Sequence, residues 1–471
     1  MTVQLVVRQP GAPSAPAPTP AAARTRLLLD GPIVSTLLRL AAPNLVVNVV
    51  LIAVTASVDA YFVGQLGSAA LAGLALVFPL MMLMQQTANA SIGGAIASAV
   101  ARAIGAGRTS DAAALIVHGL AIAAVIAALF TLVFLLGGRG IYALMGGEGE
   151  ILDAAVAYSN AVFGGALACW LLGAVTSAVR GTGQVALLAA VYVAAEVVHI
   201  ALVPLLVFGA GPLPGLGVAG AGIATVISFA LSTLVLAWYL ASGRTAATLS
   251  LRGVRLERRL FREILRTGLP MCLQPVLNNM ALAALTAYAG TLGAVALAGF
   301  GAAVRLEYLQ YPLVFGLGAA VLAMVGTNVG AGRFARAGRI TWIAAALAAA
   351  VTGSVGLAAI VWPDAWNGLF SASSAVNTLA AGYLCIVALA YPFIGLNILG
   401  SAFQAIGQPQ WVVAAVAARA VIAVLGGWIV VQATDSGLVG LGVVTAGGLA
   451  VAGAMIVVAF RRRMAALEAH P

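Results

Sequence analysis

The chain has 471 residues, of which 63% are hydrophobic and 8% are charged, and its mean hydropathy is +1.09. A soluble protein of this length needs a far more polar surface, so the composition excludes a water-soluble protein. The net charge of +10 comes from 23 basic residues, all of them arginine, and we expect no nucleic-acid partner on its account.

The first predicted element is a tail over residues 1–33, which is rich in proline and alanine. We expect this tail to be disordered, because its composition offers little apolar surface to bury. Twelve apolar segments follow, and each is long enough to cross a hydrocarbon core of about 30 Å as a helix. Their predicted limits are 38–62, 70–98, 112–136, 153–178, 186–208, 216–240, 265–289, 295–325, 339–361, 376–400, 411–432 and 438–460.

These segments predict an all-α integral membrane fold with two six-helix lobes, over residues 34–240 and 263–460. A basic linker, 241–262, joins the lobes, and a short tail, 461–471, ends the chain. Twenty of the arginines fall in the tails, in this linker, in the turns after segments 2, 4 and 8, or within the first two residues of the segment that follows one of these regions. The positive-inside rule therefore predicts a multi-pass protein of the inner membrane with the linker and both termini in the cytoplasm.

The two predicted lobes repeat one another in sequence. The turn Gly105–Arg108, with the sequence GAGR, recurs as Gly330–Arg333, and Pro43 has its counterpart in Pro270. The offsets are 225 to 227 residues. Because each half begins and ends on the same side, the halves are related by an axis along the membrane normal, an arrangement found in secondary transporters.

Asp59 is the first acidic residue inside a predicted span. It lies at the end of a polar stripe on the first helix, within an arc of about 60°, and such a stripe should face an interior cavity. The other members of the stripe are Asn44, Asn48 and Thr55. An ionisable group at this depth is costly and indicates function, although Asp59 could also be an ordinary charge at the membrane interface.

Several runs resemble the multidrug and toxic compound extrusion (MATE) transporters. They are VDAYFVGQLG at 58–67, the two copies of the GAGR turn, RGTGQ at 180–184 and GLGVAGAGIAT at 215–225. The resemblance implies twelve helices in two parallel-related lobes that form a V, with efflux driven by a proton or sodium gradient. It also implies that Asp59 is the cation-coupling acid of the N-terminal lobe.

The fifth predicted span departs from that family. Members commonly carry Asn-x-x-x-Asp there, whereas this chain has His199 in place of the Asn and Val203 in place of the Asp. Glu196 and Tyr192 precede His199 by one and two turns on roughly the same face. We hypothesise that Asp59 and His199 hold the coupling proton, with Glu196 and Tyr192 as a relay. Alternatively, His199 only hydrogen-bonds a neighbouring helix.

The second half does not repeat this chemistry. The counterpart of Asp59 is Leu285 or Thr286, and the acid of this half is Glu307 in span 8. The resemblance implies a role for it, because a span-8 glutamate in a similar Arg-x-Glu pattern is linked to cation or substrate binding in some MATE transporters. Arg305 lies two residues away and cannot face Glu307 on a helix, so each needs another partner. The candidates on span 7 are Gln274 and Asn278, and a purely structural ion pair is the alternative reading of Glu307.

Methionines, amides and tyrosines of spans 2 and 8 outline a cavity suited to amphipathic cations, although each could equally pack between helices. The candidates are Met81, Gln85, Asn89, Tyr308 and Tyr311. The sequence thus predicts a secondary efflux antiporter, coupled to protons rather than sodium, that acts as a monomer on small molecules in the bilayer.

The main alternative to an antiporter is a flippase for a lipid-linked precursor. A flippase cavity needs a basic cluster, whereas the interiors of the predicted spans contain only Arg305 and Arg419, far apart in sequence. No catalytic constellation, nucleotide-binding motif or metal-ligand spacing occurs in the sequence. We therefore expect no enzyme activity, no cofactor and no metal.

Overall fold

The computed structural model describes residues 19–211, 213–250, 254–371 and 373–469, without the side chains of Pro20, residues 46–56 and Leu213. The described chain is almost entirely helical, because backbone groups in a bilayer must satisfy their hydrogen bonds within the segment. A two-residue antiparallel ladder pairs Gly209–Ala210 with Leu213–Pro214 at the turn after the fifth span.

The helices form the twelve predicted spans. Spans 1 to 6 are Ile33–Gly64, Ser68–Gly105, Thr109–Leu144, Gly149–Gly164 with Ala166–Gly181, Val185–Phe208 and Val218–Ala241. Spans 7 to 12 are Arg258–Met271 with Leu273–Thr291, Ala294–Gly330, Phe334–Val361, Ser374–Leu389 with Tyr391–Ile406, Gln410–Ala433 and Gly437–Ala469. A five-residue helix, Pro363–Asn367, precedes span 10.

Several spans are interrupted. Spans 4 and 10 bend by 46° and 49° at their breaks, and span 7 breaks just after Pro270, which cannot donate a helical hydrogen bond. Spans 2 and 11 each contain a π-helical turn, at Thr87–Ile92 and Ile422–Gly426. Such turns shift the register of the side chains that follow and frequently occur at functional sites.

The structure corrects the predicted limits of the tails and the linker. Pro20–Asp30, within the tail predicted to be disordered, is a helix, here termed the amino-terminal helix. Span 7 begins at Arg258, inside the predicted linker 241–262, and span 12 continues to Ala469 through the predicted tail 461–471. Arginine-rich turns extend these helices past the apolar segment, because arginine can bury its stem and keep its charge at the interface.

Even-numbered spans end, and odd-numbered spans begin, at one end of the bundle, which we term the basic end. It carries Arg108, Arg244 and Arg333, whereas the opposite, acidic end carries Glu148 and Asp435. Each lobe has its own apolar core, but the first turns of span 1 pack in the core of the second lobe and the first turns of span 7 pack in the core of the first. In the first lobe, for example, Phe134 and Phe163 stack with ring centroids 3.8 Å apart.

The two lobes are in contact along the part of each lobe that is nearer the basic end. Gly105 abuts the carbonyl of Thr327, and Gly330 abuts the carbonyl of Arg102, so closely that a side-chain carbon at either glycine would overlap the opposing backbone. The Arg102 guanidinium also reaches the second lobe, donating to the Ala405 carbonyl at 2.8 Å. The absence of side chains at the two glycines therefore lets the backbones of the lobes touch, and the Arg102 side chain adds a hydrogen bond across the same junction.

Two further contacts close the junction. Arg102 pairs with Glu263 of span 7 at 3.1 Å, and the Gln404 amide donates to the carbonyls of Ala90 and Ser91 at 2.9 and 3.2 Å. Spans 1 and 8 also pack together across the junction. The basic end of the bundle is therefore sealed by groups from both lobes.

The amino-terminal helix lies across this sealed end. The Asn328 amide and the Arg333 guanidinium, both of the second lobe, donate to its carbonyls at Leu28 and Leu29, each at 3.0 Å. Its Leu28 side chain is buried and lies beside Gly183 of the first lobe. One short helix thus contacts both lobes.

Candidate functional site

The structure brings Asp59 and His199 together inside the first lobe. His199 Nε2 lies 3.0 Å from Asp59 Oδ1, and the two residues are only 2% and 3% exposed. They come from spans 1 and 5, which pack against each other. The carboxylate and imidazole therefore form a pair that is shielded from bulk water.

Tyr158 of span 4 completes this group, and the sequence analysis missed it. Its hydroxyl donates to Asp59 Oδ2 at 3.2 Å and lies 3.7 Å from Met81 Sδ. Nothing in the local sequence marks Tyr158, although a buried tyrosine hydroxyl generally needs a polar partner. Met81, predicted to line the cavity, is buried in contact with the Tyr158 hydroxyl.

The carboxylate of Asp59 accepts two hydrogen bonds in this arrangement, one from the imidazole and one from Tyr158. A proton delivered to Asp59 would make that group a donor and displace one of these bonds. Because the three side chains come from three spans, a change in their hydrogen bonding can alter how those spans pack.

The residues proposed as a relay lie on the same span as His199. Glu196 is buried one turn away. Tyr192 makes its hydrogen bond to Thr176 of span 4, with the two hydroxyl oxygens 3.0 Å apart. Asn44 of the polar stripe is buried and its amide donates to the Leu40 carbonyl at 3.4 Å. The side chains of Asn48 and Thr55 lie outside the described residues.

In the second lobe, Glu307 pairs with Arg419 of span 11. Arg419 Nη2 lies 2.8 Å from Glu307 Oε1, and Arg419 Nη1 donates to the Tyr311 hydroxyl at 3.1 Å. The partner of Glu307 is therefore Arg419 and not Gln274 or Asn278, the candidates predicted from the sequence. Those two side chains are half-buried on span 7. The pairing was missed because spans 8 and 11 are more than a hundred residues apart.

The remaining candidates are dispersed. Arg305 is exposed and lies over the Phe370 ring, 4.8 Å from its centroid. Tyr308 is 47% exposed, whereas Gln85 and Asn89 are half-buried in span 2. Asn89 donates to the Gln85 carbonyl at 3.1 Å.

Arg180 is a further buried charge that the sequence analysis overlooked. The predicted fourth span stopped at residue 178, but the helix continues to Gly181 and places Arg180 in its last turn. Arg180 is 9% exposed and its Cζ lies 5.4 Å from the centroid of the Phe315 ring. Phe315 belongs to span 8, so this contact joins the two lobes.

Comparison with protein families gives one match, to the family model described as MatE. It covers residues 45–205 and 270–429, one stretch in each lobe. Both stretches include a candidate ion pair described above, Asp59 with His199 in the first and Glu307 with Arg419 in the second.

Three relatives illustrate the similarity. The chain is 25% identical to a protein of Shewanella oneidensis described as "FAD transporter", over 81% of this chain and 84% of that one. It is 26% identical to the "Probable multidrug resistance protein YoeA" of Bacillus subtilis, over 74% and 75%. It is 29% identical to the "Probable multidrug resistance protein NorM" of Pseudomonas aeruginosa, over 75% and 73%.

Solved structures match over nearly the whole chain. One, described as a MOP superfamily transporter from Pyrococcus furiosus whose binding pocket has reverse polarity, superposes with a TM-score of 0.85. It is 25% identical over 94% of this chain and 98% of that one. A structure described as "Crystal structure of MATE in the bent conformation" gives a TM-score of 0.87, with the same identity and coverage.

Proposed function

This chain belongs to the MatE family of multidrug efflux transporters, and we propose that it is a secondary antiporter that exports amphipathic organic compounds in exchange for protons. The observation that carries the proposal is the buried contact between Asp59 and His199 at 3.0 Å. A carboxylate and an imidazole at this distance can share one proton and exchange it near neutral pH.

Proton binding at this pair acts on helix packing. Asp59, Tyr158 and His199 hold spans 1, 4 and 5 together through two hydrogen bonds to one carboxylate. A proton on Asp59 neutralises the carboxylate, which then can no longer accept hydrogen bonds from both His199 and Tyr158 as before. The protonated and ionised forms therefore favour different packing of these spans. Exported compound and proton then compete through the shape of the lobe rather than by direct contact.

The chemistry around Asp59 supports protons over sodium as the coupling ion. The groups that face its two oxygens are a ring nitrogen and a hydroxyl that donates. A hard cation needs several oxygen ligands, and these positions are taken by hydrogen-bond donors.

We place the basic end in the cytoplasm, on the positive-inside rule. The lobe contacts at Gly105, Arg102 and Gln404 then seal the cytoplasmic side. Transport requires these contacts to part while the opposite halves of the lobes approach one another, as in other transporters built from two repeats.

The test is dye transport in proteoliposomes with an imposed proton or sodium gradient. We expect protons to drive transport, and Asp59→Asn to reduce the proton-driven rate by roughly 5–150-fold, the usual range for a lost coupling interaction. His199→Gln keeps a donor for Asp59 but cannot titrate, so it should flatten the dependence on external pH. The matched control is Asp435→Asn, which makes the same change at an exposed turn.

Two results would overturn the proposal. Intact proton-driven transport in His199→Ala would exclude the pair as the proton site. Transport that follows a sodium gradient and ignores the proton gradient would exclude proton coupling altogether.

A further inference from the structure

The environment of Arg180 contrasts with those of Asp59 and Glu307, which are also buried in the described spans. Asp59 pairs with His199, and Glu307 pairs with Arg419. Arg180 takes part in none of the ion pairs found among the described residues, and its Nε is buried without a hydrogen-bond partner.

A guanidinium in such a place is costly. Charged groups within a membrane protein normally pair with an opposite charge or with backbone carbonyls, and an unpaired one indicates function. The Phe315 ring, 5.4 Å from Cζ, compensates only part of this cost through a cation–π contact. The positive charge of Arg180 is therefore available to an anionic group from outside the protein.

The surroundings of Arg180 suit such a group. Phe315 lies 15 residues before the end of span 8 at Gly330, which places its ring about 22 Å from the basic end and near the middle of the membrane. Thr176 lies one helical turn before Arg180 on span 4, and its hydroxyl oxygen is 3.0 Å from that of Tyr192 on span 5. The Arg180 guanidinium therefore has an aromatic ring of the opposite lobe beside it and a pair of hydroxyls one helical turn away in its own lobe.

We propose that Arg180, with Tyr192 and Thr176, binds an anionic carboxylate or phosphate group of the exported compound. This inference rests on the proposed efflux function and names its substrate class. The planar guanidinium presents two parallel donors to such a group, and hydroxyls can supply further ones. Cargo bearing an anionic group on an aromatic body replaces the cationic cargo that the sequence favours, with Phe315 in contact with the body.

The location also makes the site sensitive to the conformation of the protein. Arg180 and Phe315 belong to different lobes, so their contact must change when the lobes part. An anion bound between them is held most tightly in one arrangement and released in the other, which is the requirement for transport.

Riboflavin and flavin mononucleotide provide the probe, since they share a fluorescent ring and differ by one phosphate. Binding is measured by flavin fluorescence in nanodiscs of phosphatidylcholine. We expect the wild-type protein to bind the mononucleotide roughly 10–100-fold more tightly than riboflavin, the range for a hydrogen-bonded charge. In Arg180→Gln this preference should disappear while riboflavin binding remains, which also shows that the variant is folded.

Two variants sharpen the test. Arg305→Gln removes the exposed arginine over Phe370 and should keep the preference. Arg180→Lys keeps the charge without the planar fork and should keep only part of it; it also serves if Arg180→Gln does not fold. Absent or equal binding of the two flavins by the wild type, or an undiminished preference in Arg180→Gln and Arg180→Lys, overturns the proposal.

A lipid headgroup carries the same phosphate chemistry, and a second arm separates the two sources. In nanodiscs containing phosphatidylglycerol, an unchanged preference supports an exported solute as the ligand. Loss of the preference there would assign the site to lipid and overturn the proposal. Because binding needs no gradient, a phosphate preference without gradient-driven transport refutes the efflux function alone. Dye transport without a phosphate preference refutes the anion site alone.

Discussion

Replacing Glu307 by glutamine leaves Arg419 as an unpaired charge in the second lobe. The two side chains are 9% and 17% exposed, with Arg419 Nη2 2.8 Å from Glu307 Oε1. Removing one member of a buried pair costs about 3–5 kcal/mol, because the remaining charge keeps its desolvation penalty. Tyr311→Phe removes only the hydroxyl that accepts from Arg419, which is worth about 1.5 kcal/mol.

The assay is thermal unfolding in detergent, followed by loss of the monodisperse protein. A domain of 150–250 residues, about the size of one lobe, shifts by about 2–4 °C for each kcal/mol. Glu307→Gln should therefore lower the midpoint by about 6–20 °C, and Tyr311→Phe by about 3–6 °C. The double variant Glu307→Gln with Arg419→Met removes both charges and should recover most of the loss.

This series also separates a structural role of Glu307 from a coupling role. If the pair only holds spans 8 and 11 together, the double variant is stable and its transport is still driven by a proton gradient. This is the result we expect. The reasoning would be refuted if the double variant lost as much stability as Glu307→Gln and Arg419→Met lose together when each is made alone. Additive losses would show that the two charges do not compensate each other. A stable double variant without proton-driven transport would return Glu307 to the coupling site.

Two further predictions concern the basic end. Gly330→Ala places a methyl group against the Arg102 carbonyl, and such overpacking costs about 1–3 kcal/mol. The lobes should therefore move apart at this point, which spin-label distance measurements would detect. The control is Gly301→Ala on the same span, which has open space around it and should have no effect. The Arg333 guanidinium donates to the Asp30 carboxylate and holds the pKa of that carboxyl below its usual value. The ion pair therefore stabilises docking of the amino-terminal helix fully above about pH 4, and this stabilisation is lost as the pH falls through the lowered pKa. Amide exchange of that helix, corrected for intrinsic rates, should be faster in Asp30→Asn than in wild type at neutral pH and equal in strong acid; equal rates at both would contradict it.

The sequence predicted the twelve spans well because a bilayer demands long apolar helices, and apolar runs are visible in one dimension. It also placed His199 beside Asp59, because helical periodicity and a departure from the family pattern both marked that position. Whether these residues carry the proton stays a prediction.

Other parts of the site were not predictable from local pattern. Tyr158 and Arg419 act through partners on distant spans, and no local pattern reports which spans pack. Arg180 was assigned to a turn because an arginine usually marks the end of a span, whereas the helix continues past it and the side chain is buried. The amino-terminal helix was missed because its stability comes from the basic end on which it lies rather than from its own composition.

The junction at the basic end has the form of an interface between two identical subunits. Gly105 and Arg102 stand in the first half where Gly330 and Thr327 stand in the second, in each case 225 residues earlier. Gly105 abuts Thr327 while Gly330 abuts Arg102, so the same patch contacts its own counterpart. This is the isologous contact of a two-fold homodimer, made here within one chain.

In a true homodimer, any substitution at such a patch is made twice, so neither subunit can change alone. Fusion of the halves removes that restriction while the linker keeps them paired. One half can then hold Asp59 where the other holds the uncharged Leu285 or Thr286. The chain therefore keeps the two-fold contact of a symmetric dimer, while its two halves carry different functional residues.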